Sequence, residues 1–446
     1  MIPSKEKTLL SLLFGILFLG LFISPSHAKL TLDTSLSVSE QYTDNLFFTF
    51  ANKKDDFGTF VTPRLTLIFE NKHVKLGGTY TASAQFYVNN SQANTVSQGM
   101  NLIIDLPFLN RISKKLEVRV NESFNFAPDQ PAFSGNSNIF SSATEIAGGA
   151  GPAGGAGVAG VGAAGVGGAG VGGLGGIGGL AGNSLDNQGV FTQRTTTTFQ
   201  NQARIFVGYA LAPRWNANVQ YTNIFRGGLQ DSLTHESPIT LSYRVSEKLK
   251  ISGGYNFQSI EFSSGGATTA PGANGTATSH GVFMGTNYQL TPTIPIIANA
   301  GVSVTNTEVD TTRINFDGNA EITKNFPDGS IGLRVNQQIA AGGGVAASST
   351  LNQNAVLTFQ KSFTRLVGGF LHLGYSRNRS LAGPLIDLDS YQVRSGLNLA
   401  LLRWLNAGIT YSYVNQESGG QFGATAQTNQ IFLGLTAIPE TFTFFK

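Results

Sequence analysis

An all-β chain closed into an antiparallel transmembrane β-barrel of about 18 strands (roughly 16–20) is the fold this sequence predicts, and three observations lead to it. Apolar and polar residues alternate with period two along most of the chain, which gives each strand one greasy and one wet face. Tight turns alternate with long connections rich in Gly, Ser, Asn and Thr, the asymmetry of outer-membrane barrels whose short turns lie in the periplasm. Finally, 446 residues carry only 41% hydrophobic content, below the roughly 45–50% of globular chains, and no thick apolar core segment stands out.

The first 28 residues read as a secretory signal. Lys5 and Lys7 form the charged start, Leu9 to Ile23 the apolar run, and Ser26-His27-Ala28 a small-residue cleavage site. Strand-like segments then follow near 31–42, 58–70, 73–88, 93–106 and 114–127. Six more fall near 192–211, 213–226, 233–246, 248–262, 277–291 and 296–309, and seven near 311–325, 328–341, 349–363, 366–380, 388–402, 404–418 and 424–437. Most exceed the 9–11 residues or so that a tilted strand needs to cross a bilayer. The pair 239–245 and 249–257 shows the pattern best. Ile239, Leu241, Tyr243 and Val245 alternate with Thr240, Ser242 and Arg244; after a polar turn, Leu249, Ile251, Tyr255 and Phe257 alternate with Lys250, Ser252 and Asn256.

Eight connections are tight: Glu70–His73, Pro107–Ser113, Ala212-Pro213, Ser246–Lys248, Thr291–Pro295, Phe326–Asp328, Thr364-Arg365 and Arg403. Eight turns and nine loops give an even strand number with both chain ends on the turn side. The aromatic supply, 32 Phe and 12 Tyr, suits interfacial girdles near strand ends. Pro439 either stops the last strand or sits at its edge. A helical membrane protein is excluded, because the strand regions contain no apolar run of about 18 residues. A soluble β-sandwich, β-helix or stalk would have shorter strands and turns of similar length on both sides. The chain is too short for a 22-stranded transporter with a plug domain.

Between strands five and six, residues 128–191 form a long external loop with a Gly/Ala-rich insert at 148–182 that holds no charge between Glu145 and Asp186. Each glycine costs about 1 kcal/mol against alanine in a helix, which argues against a transmembrane helix. Three readings stay open: a flexible external loop, a constriction loop folded into the lumen, and three-fold extended glycine helices at 172–180.

Eighteen strands make a wall roughly 35 Å across, wide enough for an aqueous bore. The polar face carries pore-lining candidates Lys75, Arg119, Arg204, Arg244, Lys250, Arg334 and Arg394, with Glu117, Asp317 and Glu321 (and Asp105) as the acidic counterpart. The slight positive excess predicts a weak anion preference; solvation and cross-strand pairing account equally for these charges. Chemistry has little footing. The histidines outside the leader, His73, His235, His280 and His372, fit no metal spacing, and the chain has no cysteine, hence no disulfide, thiolate metal site or C-x-x-C-H haem attachment. No cofactor is expected, and nothing reads as a nucleic-acid footprint.

The stretch Tyr42-Thr43-Asp44-Asn45-Leu46-Phe47, followed by Asp55-Asp56-Phe57 and by Pro63-x-Leu65-x-Leu67, resembles the opening hairpin of the β-barrel porin-2 type of outer-membrane protein. Arg64 stands where that group more usually has glycine, and the glycine insert is not part of its pattern. The resemblance covers about a tenth of the chain and implies a conduit encoded beside exopolysaccharide export machinery, working with a periplasmic export protein. Residue by residue, Asp44 and Asn45 suit a loop end where side chains satisfy free backbone groups. Two other conduit readings stand beside it: a barrel that sheathes multihaem cytochromes, and a plain diffusion porin for small solutes. All three place the chain in the outer membrane of a Gram-negative bacterium. Its partners would be lipid, lipopolysaccharide and the barrel-assembly machinery, and it would be a passage and not an enzyme.

Overall fold

Period-two alternation resolves into long antiparallel strands, each hydrogen-bonded to its sequence neighbours. The computed structural model describes residues 28–129, 196–227, 231–263, 275–307, 312–341, 349–380, 387–419 and 424–444. The leader, apart from Ala28, and the glycine insert at 148–182 lie outside the described residues. In chain order the strands are β1 (Lys29–Thr43), β2 (Asp56–Glu70), β3 (Lys75–Tyr87), β4 (Thr95–Asp105), β5 (Leu116–Asp129) and β6 (Thr196–Ala212). Then come β7 (Trp215–Gly227), β8 (Asp231–Arg244), β9 (Leu249–Ser263), β10 (Gly275–Thr291), β11 (Ile294–Thr307) and β12 (Arg313–Phe326). The last are β13 (Gly329–Ala341), β14 (Ser349–Ser362), β15 (Val367–Ser380), β16 (Asp387–Leu402), β17 (Leu405–Ser418), β18 (Ala424–Ala437) and a short β19 (Phe442–Phe444).

The meander closes where β18 pairs with β1, from Leu36↔Ala437 to Thr43↔Gln430. The result is an all-β, antiparallel, closed 18-strand barrel of the transmembrane type. Closure leaves no free sheet edge, which a wall facing hydrocarbon requires. Pro439 ends β18, and the chain then resumes pairing with β1 as β19, Leu32↔Phe442 to Leu30↔Phe444. Between Ala437 and Phe442 it takes five steps where β1 takes four. That one-residue bulge exchanges the two faces: odd-numbered Leu433 and Leu435 face outward before it, even-numbered Phe442 and Phe444 after it, and all four are exposed. Two further prolines leave ladder gaps without shifting register. Pairing skips Thr62 and Pro63 on β2, and Ser237 and Pro238 opposite β7, as expected where an N–H is missing.

Outer and inner faces separate cleanly. Ile239, Leu241, Ile251, Val302, Leu333, Leu397 and Ile409 are exposed on one parity, while the other parity holds Ser37, Thr62, Ser242, Asn299, Asn352 and Thr410, all buried. Hydroxyl and amide pairs run between neighbouring strands inside: Ser37 with Thr436 (2.9 Å), Thr62 with Ser83 (2.9 Å), and Asn299 donating to Asn319 (2.7 Å). Glycines let inner aromatic rings lie flat on the wall. A Cβ on Gly396 would stand 2.7 Å from the Phe370 ring and 2.7 Å from the Ile409 carbonyl, so only glycine fits.

The aromatic girdle differs from the expectation of residues at strand ends. Five outward tyrosines sit well inside their strands, and each hydroxyl bonds a polar side chain nearer the loop end. The pairs are Tyr80 with Gln98 (3.2 Å), Tyr221 with His235 (2.8 Å), Tyr255 with His280 (2.6 Å), Tyr375 with Asp389 (2.7 Å) and Tyr411 with Asn429 (2.7 Å). A 14-residue strand such as β17, tilted about 40°, rises about 35 Å, against an apolar band of about 25 Å. The strands are longer than such a band, and toward the loop end the outer face turns polar, with Asn415, Glu417, Arg377 and Asp387.

Candidate functional site

The candidate site is the bore and its two mouths. All ten sequence-proposed lining residues carry the parity opposite to the exposed apolar side chains. Several are brought into pairs. Arg119 Nε donates to Asp105 at 2.6 Å and its Nη2 lies 3.4 Å from Glu117; Arg334 bonds Glu321 through Nε (2.9 Å) and Nη2 (2.7 Å). Lys75 approaches Glu70 at 3.8 Å at the turn end. Asp317 is buried, and Arg394 lies over the Phe370 ring at 5.7 Å. Apart from Arg119–Glu117, which lies within β5, the pairs are cross-strand partners of the kind that reading from residue type alone could not separate from open lining charges.

Other inward cations lack a close carboxylate contact, although Arg204 lies within the field of Glu236. Among the described residues Arg64, Arg204, Arg244 and Lys250 make no ion pair. Arg244 and Lys250 are direct register partners on β8 and β9, where like charges face each other across about 5 Å between Cβ atoms, an arrangement that destabilises a sheet. His372 faces Arg394 in the same way. Arg64, the departure from the resembling motif, therefore places a half-buried guanidinium on the bore wall. On the β2–β3 turn His73 is held below the usual imidazole range by desolvation and by the nearby Arg111 and Lys72 charges.

The loop-end mouth is built by the residues of the Tyr42–Phe47 stretch. Asp44 accepts from the Asn429 backbone N–H and its side-chain amide, both at 2.7 Å. Asn45 donates to the Gln427 carbonyl (2.9 Å) and to the Thr49 carbonyl (2.8 Å), and its Oδ1 accepts from the Thr49 N–H (3.0 Å). Both residues thus tie the β1–β2 loop to β18 across the closing seam. Asp56 does the same sideways, accepting from the N–H groups of Phe57 (2.8 Å) and Asn89 (3.0 Å) and from the Asn90 amide (2.7 Å).

Held at both ends, the loop folds inward. Phe48, with a left-handed φ of 49° that a bulky residue adopts only under constraint, packs on Val414 and Ala426 of the inner wall. Leu46 and Phe47 pack against Phe60, Tyr87 and Ala93. Tyr42 and Pro63 face outward instead, Tyr42 with its ring 5.0 Å from Phe57. Toward this mouth Gln85 and Asn352 are wholly inaccessible, whereas Arg244, Lys250, Asn287 and Gln289 at the turn end are half-exposed.

Sequence reasoning missed the inward-folded Leu46-Phe47-Phe48, whose three consecutive apolar residues in a loop were the available signal. Among the described residues no group of three or more His, Cys, Asp or Glu side chains is placed to hold a metal. The histidines are dispersed, with His235 and His280 on the outer face beside tyrosines.

No protein-family model matches the sequence, and no curated protein matches it either. Among solved structures, OccK5 (OpdH) of Pseudomonas aeruginosa aligns with a TM-score of 0.41 and 10% identity over 92% of this chain and 98% of its own. OccAB4 of Acinetobacter baumannii gives 0.42 and 9% over 94% and 99%. The FrpB iron transporter of Neisseria meningitidis gives 0.44 and 8% over 88% of this chain, which spans 63% of the transporter's length. At these identities and TM-scores neither substrate nor mechanism follows from the likeness.

Proposed function

We propose that the chain is an outer-membrane conduit for small hydrophilic solutes and that it favours anions. One observation carries the reading: inward-facing Arg64, Arg244 and Lys250 make no ion pair among the described residues, while Asp105, Glu117 and Glu321 are paired with arginines and Glu236 lies within the field of Arg204. A low-dielectric wall concentrates the field of such cations in the bore and raises the local concentration of counter-ions. The half-exposed Arg244–Lys250 pair stands near the turn end of the bore. Hydroxyls and amides elsewhere on the wall exchange hydrogen bonds with a passing solute without selecting by charge.

Planar-bilayer recording under a salt gradient tests this. The mature barrel should conduct with a reversal potential on the anion side, and Arg244→Gln with Lys250→Gln should move that potential toward zero. Reversal on the cation side, or no conductance from folded protein, would overturn it. Export of a polymer draws on the opening stretch alone, whose side chains are engaged in holding the loop-end mouth. Haem absorbance or a co-purifying periplasmic export protein would bring the sheath or export readings forward.

A further inference from the structure

Six of the eight tight turns at one end of the barrel carry an exposed cation. On four of them an exposed arginine is followed at once by an exposed bulky apolar residue: Arg111-Ile112, Arg214-Trp215, Arg365-Leu366 and Arg403-Trp404. Lys72 and Lys248 stand on two more turns, both exposed. None of these six makes an ion pair among the described residues. Of the exposed carboxylates on these turns, Glu70, Glu247 and Asp328, two already face lysines of the wall: Glu70 lies 3.8 Å from Lys75 and Asp328 3.2 Å from Lys361. The whole sequence has 29 Lys and Arg against 26 Asp and Glu, so the concentration of positive charge here is positional.

Geometry says what such steps do. Trp215 begins the outward parity of β7 and pairs with Tyr243, Ile112, Leu366 and Trp404 are exposed on their turns, and tryptophan settles at the boundary between acyl chains and headgroups. An arginine one residue away then reaches the phosphate plane, with its stem along the apolar surface and its guanidinium in water. Guanidinium and phosphate match as a bidentate pair. An acidic protein partner would call for cations gathered on one patch; here they are dispersed around the rim, each arginine beside a membrane-anchoring side chain. We propose that this ring is a binding surface for anionic phospholipid headgroups in the leaflet at the turn end, each arginine–apolar step holding a headgroup phosphate. The inference rests on the barrel's lying in a membrane, as proposed above.

Both tryptophans of the chain belong to these steps, so their fluorescence reports the lipid beside them. The mature protein would be folded into phosphatidylcholine vesicles containing either brominated phosphatidylglycerol or the same mole fraction of brominated phosphatidylcholine. The anionic quencher should act as though enriched roughly five-fold near the tryptophans, the size of effect one cation has at an anionic surface. Raised salt should abolish the excess, as should Arg214→Gln with Arg403→Gln, while Arg377→Gln on the opposite rim should keep it. Equal quenching by the two lipids, or an excess that survives salt or the double substitution, would overturn the proposal. If the double variant does not fold, the salt series on the unaltered protein decides between these outcomes. Absence of quenching by either lipid would instead remove the membrane reading itself, and this inference with it.

Discussion

On β13, Leu333 and Val335 stand outside at 43% and 41% exposure, while Arg334 between them points inward onto Glu321 at 2.7 Å. The two faces of one strand therefore obey opposite rules, with the requirement changing at every residue. In a soluble sandwich the greasy face would be the buried one. Here the buried side chains are mostly Ser, Thr, Asn and Gln, and the exposed ones are Leu, Ile, Val, Phe and Tyr. Such a molecule is stable only where hydrocarbon covers its outside. The same comparison separates what each substitution should do.

The largest effect is expected on the outer face. Leu333→Arg should destabilise the folded barrel by about 2–4 kcal/mol, the range for a cation facing mid-bilayer lipid, seen as a lower urea midpoint in vesicles. At the seam, Asp44→Ala removes both acceptors of the Asn429 bonds and should cost about 1.5–3 kcal/mol, as for hydrogen bonds to a charged group. An unchanged midpoint would mean that the latch does not hold the closing strands. Gly396→Ala drives a methyl into the Phe370 ring and should cost about 1–3 kcal/mol by overpacking. The smallest effect belongs to the inner charge: Arg334→Leu should change stability by no more than about 1 kcal/mol, because its pair with Glu321 is partly solvated. Should Arg334→Leu cost as much as Leu333→Arg, the distinction between the faces would fail.

Strands were legible because alternation needs no knowledge of partners. The segments read near 404–418 and 424–437 became Leu405–Ser418 and Ala424–Ala437, and the one read near 192–211 is described from Thr196 to Ala212, residues 192–195 lying outside the described residues. Less legible was anything set by three-dimensional neighbours. Pro439 announced an interruption, but the resumed pairing of Phe442–Phe444 with Leu30–Leu32 depends on β1, some 400 residues away in sequence. That these charges share the parity opposite to the exposed apolar side chains followed from alternation alone. Which cations would find carboxylates did not, since Arg334 and Glu321 meet only through the β12–β13 register and Arg244 meets Lys250 through that of β8–β9. Asp44 and Asn45 read as turn-shaping residues; their bonds to β18 show that the turn they shape also spans the closing seam.

Site-directed spin labelling is the most direct test of the central claim, and the chain's lack of cysteine gives a clean background. Single cysteines placed in turn at positions 331 to 336 of β13 would be labelled and the protein folded into vesicles. The account predicts that collisions with lipid-soluble oxygen peak at 331, 333 and 335, and collisions with a water-soluble nickel chelate at 332, 334 and 336. Two profiles rising and falling together along the strand, or water contact at every position, would contradict it.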